Sequence, residues 1–326
     1  MTDVNNTNNN KKLTISSDNS KTASKISLVD NNNAFIPFFD KKTRTCHGLE
    51  IEPCNNKKNK IKADLNAKKS AANGIVNISD DTTIDGEIGD FSQQNEGDCW
   101  LLAGIKATAN TKDGAEIIKK DITKYENGNV KVYLKGVNET YTFTQKEINN
   151  PIQANGLSLS RGDADVRAIE MAVAKHRYNL IKSGTYTKSG DPRTSIGGGT
   201  LNDPLAGGYN AREAGFLITG KMPEEIKNED ISDKVCNAFN HKCKGEADVD
   251  DYLDKISENP HKYSGVVSFG NNISKKGIRA NHFYSIKSVS KDGKTVIMNN
   301  PWNTYKNLTL TRQEFLDSNN DFGFYS

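Results

Sequence analysis

In the stretch Gly97-Asp98-Cys99-Trp100-Leu101-Leu102-Ala103-Gly104-Ile105, a polar pair gives way at once to residues that are apolar on several faces of a helix. A helix patterned in this way, running to about Ala109, cannot lie on a surface. It must be enclosed by the rest of the chain. Whatever this protein is, it folds around that helix, and a thiol stands at the helix start.

Much of the remaining sequence is less demanding. Hydrophobic residues make up 34% of the 326, against the roughly 45–50% apolar content (glycine included) of ordinary globular chains. The shortfall is concentrated near the N-terminus, where residues 1–80 hold 15 asparagines. Segments 1–33 and 55–73 read as unpacked, with one apolar patch, Ala34-Phe35-Ile36-Pro37-Phe38-Phe39, between them. Residues 1–79 are therefore expected to be an N-terminal extension. Its patch reads either as one sticky segment of a tail or as part of a removable pro-segment that covers a cleft. The net charge of +3, from 44 basic and 41 acidic residues, gives no basis for nucleic-acid binding. No apolar run nears the roughly 20 residues of a membrane span. The N-terminus lacks the apolar core of a Sec-type signal, which leaves the cytoplasm or delivery by another route.

From about Asp80 the pattern becomes that of a folded protein. Residues 128–134 and 139–145 alternate as two strands, and 163–182 form a helix with Asp163 and Asp165 at its start and Val166, Ile169, Val173 and Leu180 near one face. Residues 186–209 are rich in glycine and carry no periodicity, and 246–257 read as a helix. Strands are expected at 265–269, 282–290 and 295–299, the last two joined by a tight hairpin at Asp292-Gly293. The expectation is an α+β fold with a helical subdomain over 80–196 and a strand-rich one over 197–326.

Cys99 in the first turn of a buried helix meets free N–H groups and the positive end of the helix dipole. Both favour a thiolate and suggest a lowered thiol pKa. Asp98 can cap the helix. The N–H of Cys99 and the side-chain amide of Gln93, six residues upstream, are candidate donors to an oxyanion. The plain alternative is a buried structural cysteine. The other cysteines, Cys46, Cys54, Cys236 and Cys243, have six or seven residues within each pair. That is too wide for the usual zinc spacing, and ordinary thiols are expected.

His282 lies in an alternating stretch with Tyr284 and Ile286 on its face, which alone reads as a core histidine. The hairpin alters that reading. It brings Asn300 to the same end of the strand pair, about three residues out of step with His282. An asparagine oxygen there can hold one imidazole nitrogen and aim the other at a thiol. Trp302 follows closely enough to cover the bond.

Taken together, these blocks resemble the calpain family of papain-like cysteine proteases. Gln93–Ala103 resembles the nucleophile motif, Asn281–Val289 the histidine block, and Asn299-Asn300-Pro301-Trp302 the block that supplies the asparagine. The resemblance implies a papain-like two-lobed fold, with Cys99 in a helical lobe and His282 and Asn300 in a β-barrel-like lobe. It implies Cys99, His282 and Asn300 as catalytic, Gln93 as oxyanion donor, Trp302 as shield, and Gly197 and Gly198 as substrate-binding. It also implies calcium, with Asp90 and Glu170 as ligands beside an acidic loop at 80–90. The expected partners are protein or peptide substrates of a monomeric, self-processing endopeptidase. The sequence departs from the family at Gln94, Glu96 and Asn303, and it holds no match to the family's C-terminal domains. Two other readings stay open: a deamidase or transglutaminase-type effector, and an inactive binding module.

Overall fold

The computed structural model describes residues 78–153, 156–208, 212–227, 244–269 and 277–326. The expectations for the apolar patch at 34–39, for the extension up to residue 77, and for Cys46, Cys54, Cys236 and Cys243 lie outside the described residues.

Strand β1 (Phe91–Ser92) leads into α1 (Cys99–Asn110) and α2 (Lys112–Asp121). A three-stranded antiparallel sheet follows, built from β2 (Ile122–Lys124), β3 (Asn129–Leu134) and β4 (Glu139–Thr144). The β3–β4 turn places Asn138 at φ 55°, a left-handed position that asparagine tolerates better than most residues. Next come α3 (Gln145–Ile148), which opens on a capping box between Thr144 and Glu147, β5 (Arg161–Gly162), which pairs with β1, and α4 (Ala164–Ser183). Asp163 caps α4 by accepting from the Val166 N–H at 3.0 Å, and Gly184 at φ 72° ends it.

Helix α4 is buried on nearly all sides through Arg177, not along a single apolar face. The charged residues that fall inside are matched to fixed acceptors. Arg167 is fully buried and donates to the carbonyls of Ile148 at 2.8 Å, Gly162 at 2.7 Å and Asp81 at 2.7 Å. A buried guanidinium without such partners would be prohibitively costly.

The rest of the chain comprises α5 (Glu213–Thr219), β6 (Glu224–Lys227), α6 (Lys244–Glu258), β7 (Ser264–Phe269), β8 (Phe283–Val289), β9 (Thr295–Asn300), β10 (Asn303–Thr311), α7 (Arg312–Ser318) and β11 (Asn319–Tyr325). Six of these strands form one antiparallel sheet in the order β10-β9-β8-β7-β11-β6. The barrel-like closure expected here is not found among the described residues. The last strand inserts between β7 and β6 and extends the sheet sideways, so β10 and β6 remain as edges.

The fold is α+β, and its apolar burial divides in two. One core gathers residues from Ile84 to Ile218 around α1 and α4. The other runs from Val249 to Phe324 around the six-stranded sheet. The first core extends past the expected boundary at 196/197, because Leu205, Ala214, Leu217 and Ile218 pack into it. Ala103 and Ala107 of α1 meet Val266 and Tyr325 where the two cores adjoin.

Within the first core, α1 and α5 approach closely at Gly104, where a Cβ would lie 2.2 Å from that of Ala214. Gly104→Ala is expected to cost about 1–3 kcal/mol through overpacking. Urea unfolding should show this as a lower midpoint at unchanged slope. A wild-type midpoint would refute the close crossing.

Candidate active site

Helix α1 starts on the carbonyl of Asp98, which accepts from the N–H groups of Leu101 at 2.9 Å and Leu102 at 3.1 Å. The Asp98 side chain makes no cap hydrogen bond, contrary to expectation. It is buried and turned toward Glu170 of α4, to which it hydrogen-bonds. Burial raises both carboxyls, Asp98 the further, so Asp98 carries the proton and Glu170 accepts it. Ser160 also serves Glu170, through its N–H at 3.1 Å and its hydroxyl at 2.5 Å. Nearby, burial and the adjacent Asp203 raise Glu96 to about 7, opposed by the Ser158 N–H that it accepts.

Cys99 retains partial exposure. Helix α1 packs on β8, and the backbone N–H of Phe283, the residue after His282, lies near enough to the Cys99 sulfur to draw its pKa down. Burial pushes the thiol up to about 11, with the Phe283, Trp100 and Cys99 N–H groups opposing and Asp98 adding to the rise. The thiol thus lies above its ordinary value rather than below it, because enclosure outweighs the N–H groups at the helix start.

His282 immediately precedes β8, after Asn281 at φ 54°. Its Nε2 lies 2.8 Å from Asn300 Oδ1, which also accepts the Trp302 N–H at 3.0 Å. An amide oxygen only accepts, so the proton is on Nε2 and the lone pair on Nδ1. The Trp302 ring lies 4.3 Å from the imidazole, centroid to centroid, tilted by 33°.

This contact depends on an irregularity that the sequence did not disclose. Near the hairpin tip Ser288 opposes Ile297 and Val289 opposes Val296, but beyond it Ile286 opposes Met298 and Ser285 opposes Asn299. One residue, Lys287, is taken up in a bulge. Had the outer register continued, Asn300 would oppose Ser285 and point to the face away from His282. The bulge sets Asn300 opposite Tyr284, two residues from His282 and on its face.

Gln93 joins the same region through its backbone, whose N–H donates to the Pro301 carbonyl at 2.8 Å. The side-chain amide donates to the Glu96 carbonyl at 2.7 Å, which leaves its second N–H for another acceptor. Two further contacts stitch this seam. The Phe91 N–H donates to the Thr304 hydroxyl at 2.8 Å, and the Ser92 hydroxyl donates to the Trp302 carbonyl at 2.8 Å.

Gly197 and Gly198 belong to a loop held beneath the cysteine. Gly197 adopts φ +52°, and a Cβ there would lie 2.0 Å from the Gly207 carbonyl. The Gly198 N–H donates to that carbonyl at 3.2 Å, and the Gly207 N–H reaches Gly97 at 2.8 Å. The Gly198 donor is thus committed within the loop. Trp100 Nε1 donates to Leu205 at 3.1 Å. Arg177 of α4, fully buried, lies 4.0 Å from the Trp100 ring, 2.5 Å from Glu213 Oε1, and 3.3 Å from the carbonyls of both Pro204 and Gly207. Sequence reasoning missed this clamp. Its signal was present: Arg177 follows Ile169 and Val173 at four-residue steps along the buried stripe.

Asp90 and Glu170 are not brought together. Asp90 Oδ1 lies 3.0 Å from the Thr304 hydroxyl and 3.9 Å from the Lys106 ammonium, while Glu170 is occupied by Ser160 and Asp98. Among the described residues no three His, Cys, Asp or Glu side chains converge as a metal set. The donors as arranged do not fit calcium. Among the described residues no helix is long and apolar enough to cross a membrane. No protein-family model and no curated protein matches the chain.

Burial lowers His282 from 6.5 to about 4; the Asn300 bond opposes this and the Arg279 guanidinium adds to it. Between those values the unfolded chain binds a proton that the folded chain refuses, so stability rises with pH across the window. About 3 kcal/mol should be lost as pH falls from 6.5 to 4. Urea unfolding across that range should show this slope reduced in His282→Phe. Equal slopes would refute a buried neutral imidazole. Separately, Arg177→Ala should cost about 3–5 kcal/mol by leaving the buried Glu213 without this guanidinium. The double variant with Glu213→Ala should cost less than the two single losses combined, and strict additivity would refute the clamp.

Proposed function

We propose that this protein is a calpain-type cysteine endopeptidase on a papain-like two-lobed fold, with Cys99 as nucleophile, His282 as base and Asn300 as the residue that orients it. The observation carrying this reading is the 2.8 Å contact of His282 Nε2 with Asn300 Oδ1, made where α1, which begins at Cys99, packs on β8. That arrangement leaves Nδ1 as the basic nitrogen.

With the thiol raised and the imidazole lowered, the resting pair is neutral rather than an ion pair. The reaction accordingly begins by general-base catalysis. As Cys99 Sγ attacks the scissile carbonyl carbon, its proton passes to His282 Nδ1. The carbonyl oxygen takes the electron pair and is met by the Cys99 N–H and the second N–H of the Gln93 amide. Collapse breaks the C–N bond, and Nδ1–H protonates the departing amine. Water, giving its proton to Nδ1, then hydrolyses the thioester and frees the thiol. Trp302 against the imidazole keeps water from the bond to Asn300. The same assay tests self-processing of the N-terminal extension.

Casein and the protein's own chain are to be incubated with wild type, Cys99→Ala and Asn300→Ala, each with calcium or a chelator. Wild type should cleave, Cys99→Ala should lose about 10³-fold or more, and Asn300→Ala about 10²-fold. Cleavage by Cys99→Ala at the wild-type rate would end the proposal. Mass shifts of about 1 Da without fragments would instead assign the thiol to deamidation.

A further inference from the structure

Arg279 stands three residues before His282, and its backbone is fixed from both sides. Ile278 is buried in the second core, and the Arg279 N–H donates to the buried hydroxyl of Tyr284 at 2.9 Å. The side chain is exposed, with its guanidinium carbon 4.8 Å from the centre of the Trp302 ring. Trp302 in turn lies against His282. The guanidinium is near enough to His282 to contribute to its lowered pKa. Among the described residues no carboxylate pairs with it. A guanidinium resting on an indole keeps its edge N–H groups free and its fork pre-oriented, the geometry that takes a carboxylate through two hydrogen bonds.

The proposed chemistry gives this cation a side of the substrate. His282 protonates the departing amine, so the part of the peptide beyond the scissile bond leaves past the imidazole. It must then pass Trp302 and Arg279, which flank that ring. We propose that Arg279 is a specificity-determining residue, which selects peptides carrying Asp or Glu just after the scissile bond. This inference rests on the peptidase reading for its direction along the substrate. It adds the substrate class, acidic on the leaving-group side.

The test uses two internally quenched peptides that differ only at the two residues after the scissile bond, Glu-Glu in one and Gln-Gln in the other. Wild type should favour Glu-Glu in kcat/KM by about tenfold, a ratio that shrinks with added salt. Arg279→Ala should bring the ratio to about one, and Arg279→Lys should keep part of it, since lysine holds the charge but not the fork. A wild-type ratio within about twofold of one, or a ratio unchanged in Arg279→Ala, would overturn the proposal. Binding of dye-labelled product peptides, Glu-Glu or Gln-Gln at their N-terminus, to Cys99→Ala and to Cys99→Ala/Arg279→Ala supplies a readout without chemistry. A Glu-Glu preference in the first that vanishes in the second supports Arg279 even if no peptide is cut, an outcome that would sink the peptidase reading alone. No preference in either overturns Arg279 whether or not cleavage occurs.

Discussion

The head of helix α1 is held in place by a buried positive charge. Arg177 is taken wholly out of water, and removing a guanidinium from water costs several kcal/mol unless fixed acceptors surround it. Glu213, two loop carbonyls and the face of Trp100 meet that requirement. They come from α5, from the glycine loop and from α1, so satisfying one cation fixes three elements relative to α4. Trp100 is the residue after Cys99. The electrostatic demand of Arg177 therefore reaches the thiol through a single peptide bond, and the glycine loop is drawn against Gly97 by the same set of contacts.

Around that frame the charges are mostly suppressed. Asp98 keeps its proton and gives it to Glu170, Glu96 sits near neutrality, and thiol and imidazole are both uncharged at rest. Enclosure dominates each of these, as the low polarizability of a packed interior requires. Arg279, by contrast, is exposed at the rim. Neutral reacting groups with an exposed cation beside them are suited to recognising charge outside while reacting through proton transfer inside.

Much of this was legible in the sequence. The apolar run after Cys99 gave α1 almost to the residue, the alternation at 128–145 gave β3 and β4, and Asp163 marked the start of α4 by the cap it forms. The hairpin placed His282 and Asn300 at the same end of the strand pair, but the bulge that turns both to one face was not legible. What escaped has physical reasons. Helix α5 is only seven residues long, too short to show a period. Strand β10 alternates weakly because several of its residues face water, and β11 takes its place through pairing with distant β7 and β6. Asp98 was read as a cap because local chemistry permits it, but the Glu170 that claims its side chain is supplied by tertiary packing. The same holds for the thiol, whose helix position is local and whose enclosure is not.

The bulge at Lys287 has a consequence for how this site is inherited and dissected. The alignment of His282 with Asn300 is carried by the parity of a residue count, not by any side chain between them. Substituting residues one at a time along the hairpin would leave that count intact and report the stretch as indifferent to the site. Removing a single codon from β9 before Asn300 would set Asn300 opposite Ser285, on the other face, and part the two residues, whereas removing Lys287 itself would only close the bulge and leave them together. What matters here is thus which strand a change in length falls on, and a comparison of variants by substitution alone would pass over the feature on which the pairing rests.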